Sequence, residues 1–290
     1  CAPMLTLTLA QQLAGPAQRR QMRIFTLSAV CSEHTDIHIP YGGAWGLGRV
    51  LRLEHTALHT QSISMTHGPG AGAARALTAQ MAEPEVVFIG EARRVARLRP
   101  CSGTRTTTPT HSAAICRGSY AITGGLGWLG LCTAALLADG GVRSVSLASR
   151  RGHLACHQLA TMAQLRPVDT TVVACDAADA GDTGALIDAA LPTGVLHTAV
   201  AGDEGLLVQL DARRLHQQYA PKAVGAWRLH GATVAAPLET CLLFSSVGAG
   251  LGNVGQASYA AANACLDAHA LSRRARGAAA VSYTHLRAHE

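Results

Sequence analysis

Three side chains in the last fifth of the chain have the types and spacing of a carbonyl-reducing site. Tyr259 lies thirteen residues after Ser246 and four before Asn263. A phenol can donate a proton to an oxygen that is gaining charge, a hydroxyl can orient that oxygen, and an amide can hold the neighbouring groups. At i and i+4 on a helix, Tyr259 and Asn263 share one face. A phenol titrates near about 10, so at neutral pH it needs a cation nearby to favour the phenolate. Lys222, in Ala220-Pro-Lys-Ala223, is the natural candidate.

A second pattern lies upstream. Tyr120-Ala-Ile-Thr-Gly-Gly-Leu-Gly-Trp-Leu-Gly130 is a short apolar run, a glycine-rich turn and the start of an Ala/Leu-rich helix. Within it Gly125-x-Gly127-x-x-Gly130 allows a tight turn and close approach of backbone to a pyrophosphate. The helix then offers free amides and the positive end of its dipole. The following strand ends Leu147-Ala-Ser-Arg-Arg-Gly152, without the acid that would hold a ribose 2′-hydroxyl. Ser149 and Arg150 suit a 2′-phosphate instead, because a guanidinium pairs with phosphate through two parallel hydrogen bonds. NADP is therefore expected over NAD. Asp176, at the end of Val173-Ala-Cys-Asp176, is placed either to contact the adenine or to cap a turn or helix.

These patterns need a sheet to position them. Apolar runs at Tyr120–Ile122, Val142–Ala148, Thr170–Ala174, Gly194–Ala199 and Glu239–Phe244 read as buried strands. Helical segments at Trp128–Ala138, Thr183–Ala190, Ala212–Tyr219 and Tyr259–Ala275 separate or follow them. Such alternation predicts an α/β fold with a doubly wound parallel sheet. Before it stands a block with a strand pattern at Arg23–Ala29, a helix at Trp45–Glu54, a strand at Glu85–Ile89 and a basic segment at Arg93–Arg97. That block carries no catalytic constellation. A Thr-, Ser- and Pro-rich stretch from Pro100 to His111 marks the boundary.

Composition excludes several classes. Of the 290 residues, 48% are hydrophobic and 14% charged, which describes a core-forming chain and not a disordered one. The formal charge of +6 is scattered, with no basic run interleaved with aromatics, so no nucleic-acid partner is expected. No apolar run reaches membrane-spanning length. Nine cysteines occur without a Cys-x-x-Cys pair, and Cys132, Cys175, Cys241 and Cys265 sit among apolar residues, which reads as reduced core cysteine in the cytoplasm. No metal site is expected: His153, Cys156 and His157 read as a solvent-facing loop, and the pairs His34/His38 and His55/His59 lack further ligands. Without an initiator Met, the chain reads as beginning inside a longer polypeptide.

From Gly118 to Ser282 the chain resembles the ketoreductase domain of modular polyketide synthases and animal-type fatty acid synthases, within the short-chain dehydrogenase/reductase superfamily. The matching segments are Thr123-Gly-Gly-Leu-Gly-Trp-Leu-Gly130, Ser149-Arg150, Cys175-Asp176, Ala220-Pro-Lys222, Phe244-Ser-Ser246 and Gly255-Gln-Ala-Ser-Tyr-Ala-Ala-Ala-Asn-Ala264. Through Trp45-Gly-Leu-Gly-Arg49 and Glu54, the first block resembles that family's truncated, Rossmann-like structural subdomain. The division implied is a structural subdomain at 1–112, incomplete at its start, a catalytic subdomain at 113–282, incomplete at its end, and a non-native tail at 283–290.

The resemblance implies NADPH-dependent reduction of a β-ketoacyl thioester on an acyl carrier protein, beside the other domains of a megasynthase. Two alternatives stay open: a catalytically impaired structural module, and a free-standing reductase of small ketones. By the same resemblance Tyr259 donates the proton, Lys222 holds the cofactor ribose and lowers the Tyr259 pKa, Ser246 orients the carbonyl, and Asn263 organises a water or Lys222. Thr123, Gly124, Gly125, Leu126, Gly127, Gly130, Ser149, Arg150 and Asp176 bind the cofactor. Asp203, Leu251 and Gln256 fall at substrate or stereocontrol positions. Gly202-Asp-Glu204 partly matches the Leu-Asp-Asp of one stereochemical subtype, and Leu251 stands where the opposite subtype has Trp, which implies a D-configured hydroxyl. Val200 departs from the family's His-Ala-Ala-Gly by adding bulk where a glycine lies beside the cofactor.

Overall fold

The computed structural model describes residues 2–13, 22–27, 42–65, 82–89, 92–98, 117–165, 168–202, 204–236 and 238–284. The boundary stretch from Pro100 to His111, His34, His38 and Asp203 lie outside the described residues.

In the first block the described elements are helix α1 (Ala2–Leu13), strand β1 (Arg23–Leu27), helix α2 (Gly42–Glu54), and strands β2 (Gln61–Met65), β3 (Glu85–Ile89) and β4 (Ala92–Arg94). They form a sheet in the order β1-β2-β3-β4, parallel except for the last pair. β2 escapes a reading of the sequence because Ser62 and Ser64 are buried at 0% and 1% exposure. A parallel strand is covered on both faces, so it shows no alternation, and here serines also mask its apolar character. α2 starts three residues before the predicted Trp45, taking in Gly42 and Gly43. So glycine-rich a helix is poor by propensity; what holds it is close packing on a neighbour that tolerates no side chain. A Cβ at Gly46 would stand 2.4 Å from the Ala260 carbonyl oxygen.

The second block continues with β5 (Ser119–Thr123), α3 (Trp128–Asp139), β6 (Ser144–Ser149), α4 (Leu159–Gln164), β7 (Asp169–Ala174), α5 (Ala180–Ala190) and β8 (Gly194–His197). It closes with α6 (Ala212–Tyr219), α7 (Gly225–Ala232), β9 (Thr240–Phe244), α8 (Gly248–Leu251), α9 (Ala257–Ala275) and β10 (Val281–Tyr283). The six strands run parallel in the order β10-β9-β8-β5-β6-β7. Counted from β5, this is the doubly wound order 3-2-1-4-5-6, whose ligand crevice opens where the winding reverses. The reversal lies between β5 and β8, at the register pair Thr123 and His197.

β8 ends two residues short of the predicted Ala199; there Thr198 donates both its N–H and its hydroxyl to the Thr123 carbonyl, at 2.9 and 2.8 Å. Tyr283, the first residue set apart from the family pattern, belongs to β10: its carbonyl accepts from Ser245 N at 2.9 Å and its ring packs edge-on against Phe244. One apolar core crosses from block to block, joining Leu47 and Leu51 of α2 to Leu207, Leu215, Ala257 and Ala260. Among the described residues no helix is long and apolar enough to cross a membrane.

Candidate active site

The nucleotide end is built by the turn between β5 and α3. Gly124 has φ +72°, and a Cβ there would stand 2.6 Å from Ala199 N, so only glycine serves where the turn touches the end of β8. Gly127 is the N-cap of α3; no side chain caps that helix and its first turn holds no acid. Uncapped amides and an acid-free first turn are the donor set an anionic pyrophosphate needs. A cleft of about 690 Å³ adjoins them, lined by Leu126, Gly127, Ser149, Arg150, Arg151, His153, Ala155 and Gln158. Arg150 and Arg151 are exposed beside it. The residues present fit a dinucleotide.

Sequence reading missed Gln158, whose amide donates to the Leu126 carbonyl at 2.5 Å and whose carbonyl accepts from Ala155 N at 2.8 Å. It ties the glycine turn to the segment after β6. Asp176 Oδ1 accepts from Ala178 N at 2.9 Å, closing a backbone turn, while the N-cap of α5 is Asp179. His153 is exposed with Nδ1 beside the Arg151 carbonyl, and among the described residues no group of three or more His, Cys, Asp or Glu is set to hold a metal ion.

Toward the other end of the crevice, contacts join Lys222, Tyr259 and Asn263, and Ser246 follows shortly after Phe244, whose carbonyl holds Lys222. Lys222 sits in a π-helical segment, Ala220–Val224, between α6 and α7. Pro221 has no N–H to give, which suits the widened turn there. Lys222 is only 4% exposed; its Nζ donates to the Phe244 carbonyl at 2.6 Å and stands 5.5 Å from the centroid of the Tyr259 ring. Burial lowers its pKa to about 8, opposed in part by Asp267. Ser246, one residue beyond Phe244 and Ser245, is part-exposed, and its Oγ accepts from Gly248 N at 3.2 Å. Along α9 nearly every residue from Ala257 to Ala264 is buried, whereas Tyr259 is not. Asn263 is fully buried; its Nδ2 donates to the Tyr259 carbonyl at 2.9 Å and its Oδ1 has no partner. An orphaned buried amide oxygen is a place for a donor such as water.

His197 joins the two ends, a residue noticed in the sequence only as part of a motif. It is fully buried, with Nδ1 2.7 Å from Thr123 Oγ1 and Nε2 2.8 Å from the Lys222 carbonyl. A carbonyl only accepts, so Nε2 carries the proton and Nδ1 accepts from the Thr123 hydroxyl. Burial holds the imidazole near a pKa of about 4, in keeping with that neutral tautomer. The strand order, which puts His197 beside Thr123, was the available signal.

Of the positions expected from the sequence to face substrate, Leu251 is 57% exposed and lines a second cleft of about 560 Å³ that also takes in Ser246, Val247, Arg49 and Arg97. Gln256 donates to Glu204 at 3.2 Å, across the contact made by Gly205 N with the Gly255 carbonyl. Val200 is 55% exposed, outside the core.

Comparison with known proteins gives one answer. Residues 118–286 match the KR domain family. The polyketide synthase GfsB of Streptomyces halstedii is 43% identical over 172 residues, covering 57% of this chain and 3% of that synthase. The spectinabilin polyketide synthase system protein NorB of Streptomyces orinoci is 39% identical over 199 residues, covering 66% of this chain and 9% of that protein. The chain thus spans a small part of each of these relatives. The solved structure of A-type ketoreductases from a modular polyketide synthase superposes with a TM-score of 0.83 at 34% identity, covering 96% of this chain and 62% of that one. The first ketoreductase of the tylosin polyketide synthase gives 0.82 at 31% identity, covering 97% and 62%. The chain belongs to the KR domain family, the ketoreductase oxidoreductases of modular polyketide synthases, whose Rossmann-type fold takes a nicotinamide cofactor.

Proposed function

We propose that the chain reduces the β-keto group of an acyl thioester, presented on an acyl carrier protein, with NADPH as reductant. The observation that carries this reading is the buried Lys222 ammonium, held by the Phe244 carbonyl 5.5 Å from the centre of the Tyr259 ring. A bound NADPH supplies hydride to the carbonyl carbon. Tyr259 donates its phenolic proton to the oxygen as charge gathers there, and the Lys222 cation stabilises the phenolate left behind. Ser246 Oγ hydrogen-bonds the same oxygen and orients it. Asn263 Oδ1 holds a water that returns a proton toward Lys222 and Tyr259.

Arg150 and Arg151, beside the cleft at the end of β6, support the phosphorylated cofactor. The exposed aliphatic side chains of Val247 and Leu251 near Ser246 support an acyl substrate over a polar one. The test is the initial rate of NADPH oxidation against an N-acetylcysteamine β-ketoacyl thioester, with NADH in a parallel run. Turnover with NADPH that is lost in Tyr259→Phe supports the reading. NADPH binding without turnover, seen by fluorescence titration, would favour an impaired module, with Val200 as the first residue to revert to glycine.

A further inference from the structure

The described residues of the first block grip both turns that flank the proposed catalytic residues. Arg49, on α2, forms a two-armed ion pair with Glu85 of β3, Nε to Oε1 at 2.7 Å and Nη2 to Oε2 at 2.8 Å. Its remaining arm, Nη1, donates to the carbonyl of Ala249, in the short helix directly after Ser246. Arg52 also donates to Glu85 Oε1, so the carboxylate is shared and Arg49 stays aimed.

Glu54 is the last residue of α2, where a carboxylate faces the negative end of the helix dipole. What it meets there is two backbone donors: Oε1 accepts from Gly255 N at 2.8 Å and Oε2 from Leu207 N at 2.6 Å. Gly255 lies four residues before Tyr259, and its carbonyl accepts from Gly205 N at 2.9 Å. One carboxylate thus ties the turn into α9 to the segment after β8. Toward the start of α2, before both grips, the missing side chains of Gly42 and Gly46 let the helix lie against the backbone of α9. A Cβ at Gly42 would stand 2.5 Å from the Ala264 carbonyl oxygen.

We infer that Arg49 and Glu54 are positioning residues for the reduction, fixing Ser246 through Ala249 and Tyr259 through Gly255 from outside the catalytic block. The inference rests on the reductase reading above. The Arg49 grip is local to one turn, the Glu54 grip joins the turn into α9 to the segment at Leu207, and neither touches the nucleotide loop, which is held by Gln158 and by the pairing of Thr123 with β8. A displacement of an ångström at a reacting group costs up to about a hundredfold in rate.

The experiment uses the whole chain in three forms: wild type, Glu54→Gln, which keeps the shape but turns one acceptor into a donor, and Arg49→Lys, which keeps the charge but loses the fork. Both variants are expected to lose about tenfold or more in kcat while binding NADPH within about twofold of wild type. Hydrogen exchange is expected to accelerate in peptides covering 247–258 and to stay unchanged over 120–131. A change in both regions, or a fall in NADPH affinity and kcat together, would mean general destabilisation and overturn the inference. So would unchanged exchange over 247–258, whether or not the wild type turns over. An inactive wild type with the local exchange pattern intact counts against the reductase reading and not against the grip.

Discussion

Raising the pH through about 8 is expected to switch off reduction while leaving the fold intact. Burial depresses the Lys222 pKa from 10.5 to about 8, with only Asp267 opposing the shift. The ammonium would then be about nine-tenths charged at pH 7, half charged at pH 8 and one-tenth charged at pH 9. If the cation sustains the phenolate of Tyr259, kcat/KM should fall about tenfold per pH unit above 8. Stability runs the other way. The folded pKa lies below the unfolded one, so the unfolded chain binds more protons across this range and the Lys222 contribution to folding improves as pH rises. Between about pH 7.5 and 9 the gain is roughly 1 kcal/mol. Above about pH 9 the buried thiols of Cys175 and Cys241, pushed up by burial, pull in the opposite direction, so the comparison belongs below that point. Lys222 is the sole lysine of the chain, so lysine labelled at Cε gives one NMR signal whose titration reads the group directly. A midpoint near 8 that coincides with the fall in rate is expected. A midpoint near 10, or a rate that stays flat to about pH 10, would refute the reasoning.

Other consequences can be checked separately. Arg150→Ala should weaken NADPH binding by about ten- to a hundredfold and leave NADH nearly unchanged, since only the 2′-phosphate loses a charge-assisted partner; fluorescence titration of both cofactors measures it. Acid should destabilise the fold between about pH 7 and 5 by roughly 2 kcal/mol for each of His197 and His269. Burial holds both imidazoles near a pKa of about 4, below the unfolded value, so their stability is present above about 6.5 and lost as pH falls. Denaturant melts at the two pH values read this out. Gly46→Ala should cost about 1–3 kcal/mol, because the added carbon meets the Ala260 carbonyl oxygen at 2.4 Å and one of the two helices must shift.

Much of the site was legible because its signals are local. The glycine turn after Ile122 and the Tyr259/Asn263 spacing are short-range patterns with a physical need behind each position, and strand alternation with helices carried the fold class. The supports were not legible, for a common reason. Arg49 meets Ala249 and Glu54 meets Gly255 across about two hundred residues of chain, and no local pattern encodes such a contact. His197 meets Thr123 only because β8 returns beside β5. The π-helical turn at Lys222 and the extension of α2 through Gly42 and Gly43 run against propensity, and tertiary packing decides both. Asp176 had two readings in the sequence, and the backbone turn at Ala178 takes one of its oxygens.

The most direct measurement follows the hydride. NADPH deuterated at the transferable position of the nicotinamide is incubated with the chain and a β-ketoacyl thioester, and the product is analysed by mass spectrometry. Deuterium at the β-carbon of a β-hydroxyacyl thioester, formed by wild type and reduced by about a hundredfold or more in Tyr259→Phe, is the expected result. Cofactor binding with no label in the product, or equal labelling by the Phe variant, would contradict the account.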